Sequence, residues 1–104
     1  MRVASLDELP PNSARLFRYP PGGEPAILIR LPDGGLVAYS DVCTHLSCAV
    51  RYLGDGEHLH CPCHDGMFDA RTGEVLAGPP ARPLPRVELS VEQGAVWATR
   101  EVPQ

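Results

Sequence analysis

The amino-acid sequence predicts an all-β domain: a base of antiparallel strands, packed as a sandwich and drawn from both ends of the chain, with a smaller subdomain inserted between them. Three observations lead there. Short apolar or alternating runs recur between turn signals, as half-buried strands require. Twelve prolines, about twice the usual share and crowded at 10–11, 20–25 and 79–85, argue against long helices. Glycines stand where tight hairpins need positive φ. At 104 residues the chain has the length of one domain, so one polypeptide unit must supply both the core and any site.

Taken in order, Ser5 with Glu8 three residues on has the form of a capping box, which allows one helical turn near the start. Strands are expected over 15–19, 26–31, 36–40, 86–91 and 95–102. Pro32-Asp33-Gly34-Gly35 joins the second and third as a hairpin, and Glu92-Gln93-Gly94 joins the last two. The base is therefore about 1–40 and 83–104. Between them, about 41–82, the composition changes to cysteine, histidine, glycine and proline with brief apolar stretches at 58–60 and 67–69. On the first of these His58 and His60 are expected to face opposite ways. Met67 and Trp97 are expected in the core.

Charge narrows the function classes. The net charge is -4, and the nine basic residues are all arginines scattered singly along the chain. Nucleic-acid binding, which needs a basic stripe, is not indicated. No run of about twenty apolar residues exists for a membrane span, and the start lacks the charged-then-apolar order of a signal peptide. The chain as given is expected to be soluble, and its compartment is not written in it. No nucleophile with a matching base can be assembled, so hydrolytic or group-transfer chemistry is not indicated; Asp65 and Asp69 read as turn residues.

Four cysteines fall into two tight pairs rather than spreading out. The segments CTHLSC at 43–48 and CPCHDG at 61–66 each offer a cysteine with a histidine two or three residues on, and 15 residues separate His45 from Cys61. A 2Fe-2S core needs four ligands, two per iron, so two loops that each give a thiolate and an imidazole can satisfy it. Zinc is the competing occupant of a Cys2His2 set. It would leave Cys48 and Cys63 without a role. Two plain disulfides with idle histidines are a further reading. A plant-type cluster fails, because its spacing needs a cysteine where Arg51 stands.

These segments resemble the Rieske iron-sulfur proteins, whose pattern is Cys-x-His-x-x-x-Cys followed by Cys-x-x-His with an extra cysteine inside. The resemblance runs from about 39 to 85. It implies a Rieske-like base with a cluster-binding insertion. It also implies that Cys43 and Cys61 ligate one iron and His45 and His64 the other, and that a Cys48–Cys63 disulfide ties the loops, as in quinol-oxidising cytochrome bc complexes. Leu46 would shield the loop tip, and Gly78-Pro79-Pro80 looks like the family's proline loop over the cluster.

The resemblance further implies one-electron transfer with a redox protein or a quinol as partner, in a subunit of a quinol-oxidising or related oxidoreductase. A free ferredoxin serving an oxygenase or reductase is the alternative, and a zinc-stabilised binding module the reading outside redox chemistry. High-potential family members place a serine and a tyrosine where this chain has Gly66 and Phe68. Without those hydroxyl donors to the reduced cluster, the potential is expected in the middle or lower part of the Rieske range of roughly -150 to +300 mV.

Overall fold

The structure, a computed structural model, describes residues 1–41, 50–62, 65–78 and 82–104. Strands dominate it. The base contains β1 (Arg2–Ser5), a single 3-10 turn (Leu6–Glu8), β2 (Ser13–Tyr19), β3 (Glu24–Arg30) and β4 (Leu36–Ser40). The middle of the chain gives β5 (Arg51–Tyr52), β6 (His58–Cys61), β7 (Gly66–Asp69) and β8 (Val75–Ala77), and the chain returns to the base as β9 (Arg86–Glu92) and β10 (Ala95–Val102). The base strands form one six-stranded sheet in the order β1-β10-β9-β4-β3-β2, and the middle strands a four-stranded sheet in the order β5-β6-β7-β8. Among the described residues all the pairings are antiparallel, and the two halves of the larger sheet are joined between β4 and β9, where Tyr39 pairs with Arg86 and Ser40 N–H donates to the Pro85 carbonyl at 2.9 Å.

β3 is the middle layer. Its run Ala26-Ile27-Leu28-Ile29 is buried throughout, as expected of a strand covered on both faces. Ile27 and Ile29 pack toward the four-stranded sheet, with Tyr39, Val50, Leu59, Cys61, Phe68, Ala70 and Leu84. Leu28 packs the other way, with Ala4, Leu9, Ala38, Val87, Val96 and Ala98. Side chains therefore alternate between two cores, as the two-residue repeat of a strand dictates.

The turns follow their sequence signals. Leu31 N–H donates to the Gly35 carbonyl at 2.8 Å across the β3–β4 hairpin, where Gly34 has φ 90°. Glu92 and Ala95 face each other across Gln93 and Gly94, both at positive φ. The Ser5 N–H donates to the Glu8 carboxylate at 2.8 Å, so the expected helical turn is present as one turn of 3-10 helix.

Side-chain bonds tie the sheets together. The buried Tyr39 hydroxyl donates to the Ala70 carbonyl at 2.9 Å. Asn12 donates to the Gly54 carbonyl at 2.9 Å and accepts from the Tyr52 hydroxyl at 2.5 Å. Arg71 pairs with Asp33 at 2.9 Å.

Two expectations are corrected. His58 and His60 share one half-exposed face of β6, while Leu59 and Cys61 point into the core; residues two apart on a strand lie on the same side. Trp97 lies on the outer face of β10, level with Arg2 of β1 and 36% exposed, and Met67 is only half-buried.

Candidate metal centre

Three segments leave the described structure, and the residues at their roots converge. The first departs after β4 at Asp41 and returns at Val50, and a bond from Val50 N–H to the Asp41 carbonyl at 2.9 Å closes the mouth. The second lies in the turn between β6 and β7, where Cys61 and Gly66 are direct cross-strand partners. The third departs at Gly78, just past β8, and the chain is again fixed by Leu84, whose N–H donates to the Gly73 carbonyl at 3.0 Å. Val50, Cys61 and Leu84 belong to one buried cluster, so all three roots rest on a common apolar floor.

The second and third roots touch through backbone alone. A Cβ on Gly78 would lie 2.7 Å from the Gly66 Cα and 3.1 Å from the Asp65 carbonyl oxygen, and Gly78 has φ 92°. Only glycine permits both the approach and the conformation.

Of the residues singled out as ligands, Cys61 is described: it ends β6 with no solvent exposure. Cys43, His45 and His64 lie outside the described residues, as do Leu46, Cys48, Cys63, Pro79 and Pro80. Gly66 opens β7, and Phe68 is fully buried opposite Leu59.

The described side chains that share the cluster with Cys61 are apolar except Tyr39, and that hydroxyl is committed to the Ala70 carbonyl. On its described side, a thiolate held here packs against apolar groups. Across the β6–β7 turn, His60 Nε2 lies 3.3 Å from the Asp65 carboxylate, and Asp65 has φ 53°.

Asp41 was not singled out from the sequence. It is 1% exposed at the neck of the first segment, its carboxyl pushed up to about 6 by burial, and its Oδ1 has no hydrogen-bond partner among the described residues. The signal that was available is its place immediately before the first motif; its burial depends on packing that no local pattern encodes.

The donor chemistry fits a cluster. Two cysteines and two histidines on separate segments can act together only if their roots meet, and these roots meet at a buried thiol with close backbone contact.

A profile of the Rieske [2Fe-2S] domain matches residues 1–88. The chain is 29% identical over 96 residues to a cytochrome b6-f complex iron-sulfur subunit of Chlorobaculum thiosulfatiphilum, the match covering 92% of this chain and 51% of that subunit. It is 32% identical over 99 residues to a 3-phenylpropionate/cinnamic acid dioxygenase ferredoxin subunit of Photorhabdus laumondii, covering 93% of this chain and 90% of that one. Among solved structures, the plasma membrane Rieske protein of Synechocystis PCC 6803 superposes with a TM-score of 0.83 at 26% identity, covering 96% of this chain and 99% of that one. The chain thus spans about half the length of the cytochrome b6-f subunit. Among the described residues no helix is long and apolar enough to cross a membrane.

Proposed function

Because this chain belongs to the Rieske [2Fe-2S] domain family, whose members carry electrons on a 2Fe-2S cluster, we propose that Cys43, His45, Cys61 and His64 hold that cluster here and that Cys48 and Cys63 form the disulfide between the two segments. The observation that carries this reading is the convergence of the three roots on the floor that buries Cys61. When bound, the cluster supplies a one-electron couple, with a higher potential than a four-cysteine centre because two neutral imidazoles replace two thiolates.

The chain's own residues do the rest. Val50, Leu59, Phe68 and Leu84 exclude water from the thiolate side. The Val50–Asp41 bond fixes the mouth of the segment bearing Cys43 and His45. Glycine at 78 lets the root of the Pro79-Pro80 segment lie directly on the Cys61–Gly66 turn, and Leu46 with the two prolines would cover the site from outside. His45 and His64 each keep one ring nitrogen to bind or release a proton, so electron and proton uptake are linked.

The partner is a redox protein or a quinol. We take the setting to be a subunit of a quinol-oxidising or related oxidoreductase, because the four-cysteine pattern favours it. The free-ferredoxin reading is supported by the near full-length match to a dioxygenase ferredoxin subunit. A redox titration across pH separates them: a potential above zero that falls as pH rises beyond about 7 supports the quinol-linked setting, and a negative, pH-flat potential supports the ferredoxin. Protein lacking iron and inorganic sulfide would defeat both.

A further inference from the structure

Beyond β10 the chain runs beside the third root. Arg86 and Val102 are cross-strand partners, so the same register sets Pro85 opposite Pro103 and Leu84 opposite Gln104. The ladder cannot run on through backbone alone, because neither proline has an N–H to donate. At the next step a side chain supplies the donor. Gln104 Nε2 donates to the Leu84 carbonyl at 2.6 Å and to the Thr72 carbonyl at 3.0 Å, which uses both of its hydrogens.

These bonds join three parts of the molecule. Gln104 follows the base sheet, Thr72 lies in the turn between β7 and β8, and Leu84 is where the third segment is again fixed. The Leu84 N–H is held by the Gly73 carbonyl at 3.0 Å, so with Gln104 in place both of its backbone polar groups have partners. Leu84 needs them, because it is fully buried in the same cluster as Cys61. The junction is tightly filled: a Cβ on Gly73 would lie 2.9 Å from Gln104 Nε2 and 2.9 Å from Tyr39 Cε1, and Tyr39 belongs to that same floor.

We propose that Gln104 is a positioning residue for the iron-sulfur centre: by donating to Leu84 and Thr72 it seats Leu84 in the floor shared with Cys61, and so limits the access of water to the thiolate from that side. The inference rests on the cluster reading given above. Without the donor, two carbonyls at the junction turn to water for their hydrogen bonds, and one of them belongs to a residue whose side chain forms part of the floor. Water there makes the floor more polar. Two thiolates and two neutral imidazoles leave the oxidised centre formally neutral and the reduced one anionic, so a more polar floor favours reduction.

Two substitutions in the holoprotein test it. Gln104→Met keeps the length and neutrality of the side chain and removes the donor; Gln104→Lys restores a donor. In Gln104→Met the Leu84 amide is expected to exchange with deuterium about tenfold faster, as read by mass spectrometry. Pro83 and Pro85 on either side have no amide to confuse the signal. Under native conditions an iron chelator is expected to bleach the visible absorption of Gln104→Met about tenfold faster, and its reduction potential is expected to move upward. Gln104→Lys is expected to bring both rates back to within about twofold of the parent's, and a Gln104→Lys protein that behaves as Gln104→Met overturns donation as the cause. A potential or a bleaching rate unchanged in Gln104→Met overturns the proposal even where the Leu84 amide exchanges faster, since the contact is then structural only. Parent protein without iron and inorganic sulfide is a separate failure: it defeats the cluster reading, and this inference with it.

Discussion

Gly78→Ala is the substitution whose consequences the structure specifies most closely. Two costs add. At φ 92° an L-residue is strained by about 1–2 kcal/mol. The new methyl would also stand 2.7 Å from the Gly66 Cα, about 1 Å inside an ordinary carbon–carbon contact, against backbone on a strand that cannot rotate away. Relieving such an overlap costs about 1–3 kcal/mol. The sum is about 2–5 kcal/mol, a large share of the stability of a domain this size.

Gly54→Ala provides the control, because Gly54 has φ 78° yet a Cβ there meets nothing within 4 Å; only the conformational cost applies. At about 4–8 °C per kcal/mol for a domain of this length, the overlap cost of about 1–3 kcal/mol should make Gly78→Ala unfold about 4–24 °C below Gly54→Ala. The assay is far-UV circular dichroism at one scan rate, with visible absorbance followed in parallel. Because the overlap falls on the Cys61–Gly66 turn, the colour should fade before the secondary structure does. Coincident unfolding of the two variants would refute the close-approach argument.

Other substitutions probe separate parts of the molecule. Asp41 is held with a raised carboxyl pKa of about 6 against 3.8 for an ordinary aspartate, so the native state keeps a proton that the unfolded chain loses. Stability should therefore fall as pH rises from about 4 to 6 and stay lowered above, and Asp41→Asn should be more stable at pH 7 by about 1–3 kcal/mol, read from denaturant unfolding. An Asn variant no more stable than the parent at that pH would contradict it. His58 donates from Nδ1 to Asp55 at 2.5 Å, which raises the imidazole pKa above its ordinary 6.5. This contribution is full below pH 6.5 and fades as pH rises through the raised pKa, so His58→Gln should abolish that part of the pH dependence of the unfolding midpoint; an unchanged slope would rule the pair out. Phe68→Tyr should raise the reduction potential by about 30–60 mV if the new hydroxyl donates toward the reduced centre, since about 1.4 kcal/mol equals about 59 mV for one electron. A potential that does not rise in a folded variant would show that position 68 lacks that access.

Legibility in the sequence tracked the range of the forces involved. β4 and β10 match the expected bounds of 36–40 and 95–102, because alternation and flanking turn residues are local signals. β2 and β3 begin two residues earlier than expected, each extended by pairing with the other. β1 was missed: its four residues carry no pattern and are held by β10. β5 and β8, of two and three residues, were not foreseen, because they exist only as extensions of the β6–β7 hairpin, whose two apolar stretches at 58–60 and 67–69 the sequence did mark.

Trp97 was expected inside because it is large and apolar, yet its place is set by the pleat: Val96 and Ala98 take the inward positions of β10, which leaves Trp97 outward. At the site, the cysteine and histidine spacing was plain because coordination chemistry fixes residue types at short intervals. The burial of Asp41 and the contact of Gly78 with Gly66 were not, because each joins segments that only the folded sheets bring together.

The central claim is mixed sulfur and nitrogen ligation of a paired-iron centre by Cys43, His45, Cys61 and His64. Electron-nuclear double resonance on the reduced protein, grown with nitrogen-15 histidine in otherwise natural-abundance medium, tests it most directly. Strong coupling to two labelled ring nitrogens is the predicted result, lost from one nitrogen in His64→Cys. A protein without a reduced-state signal that binds zinc instead, or a signal with no histidine nitrogen coupling, would contradict the account.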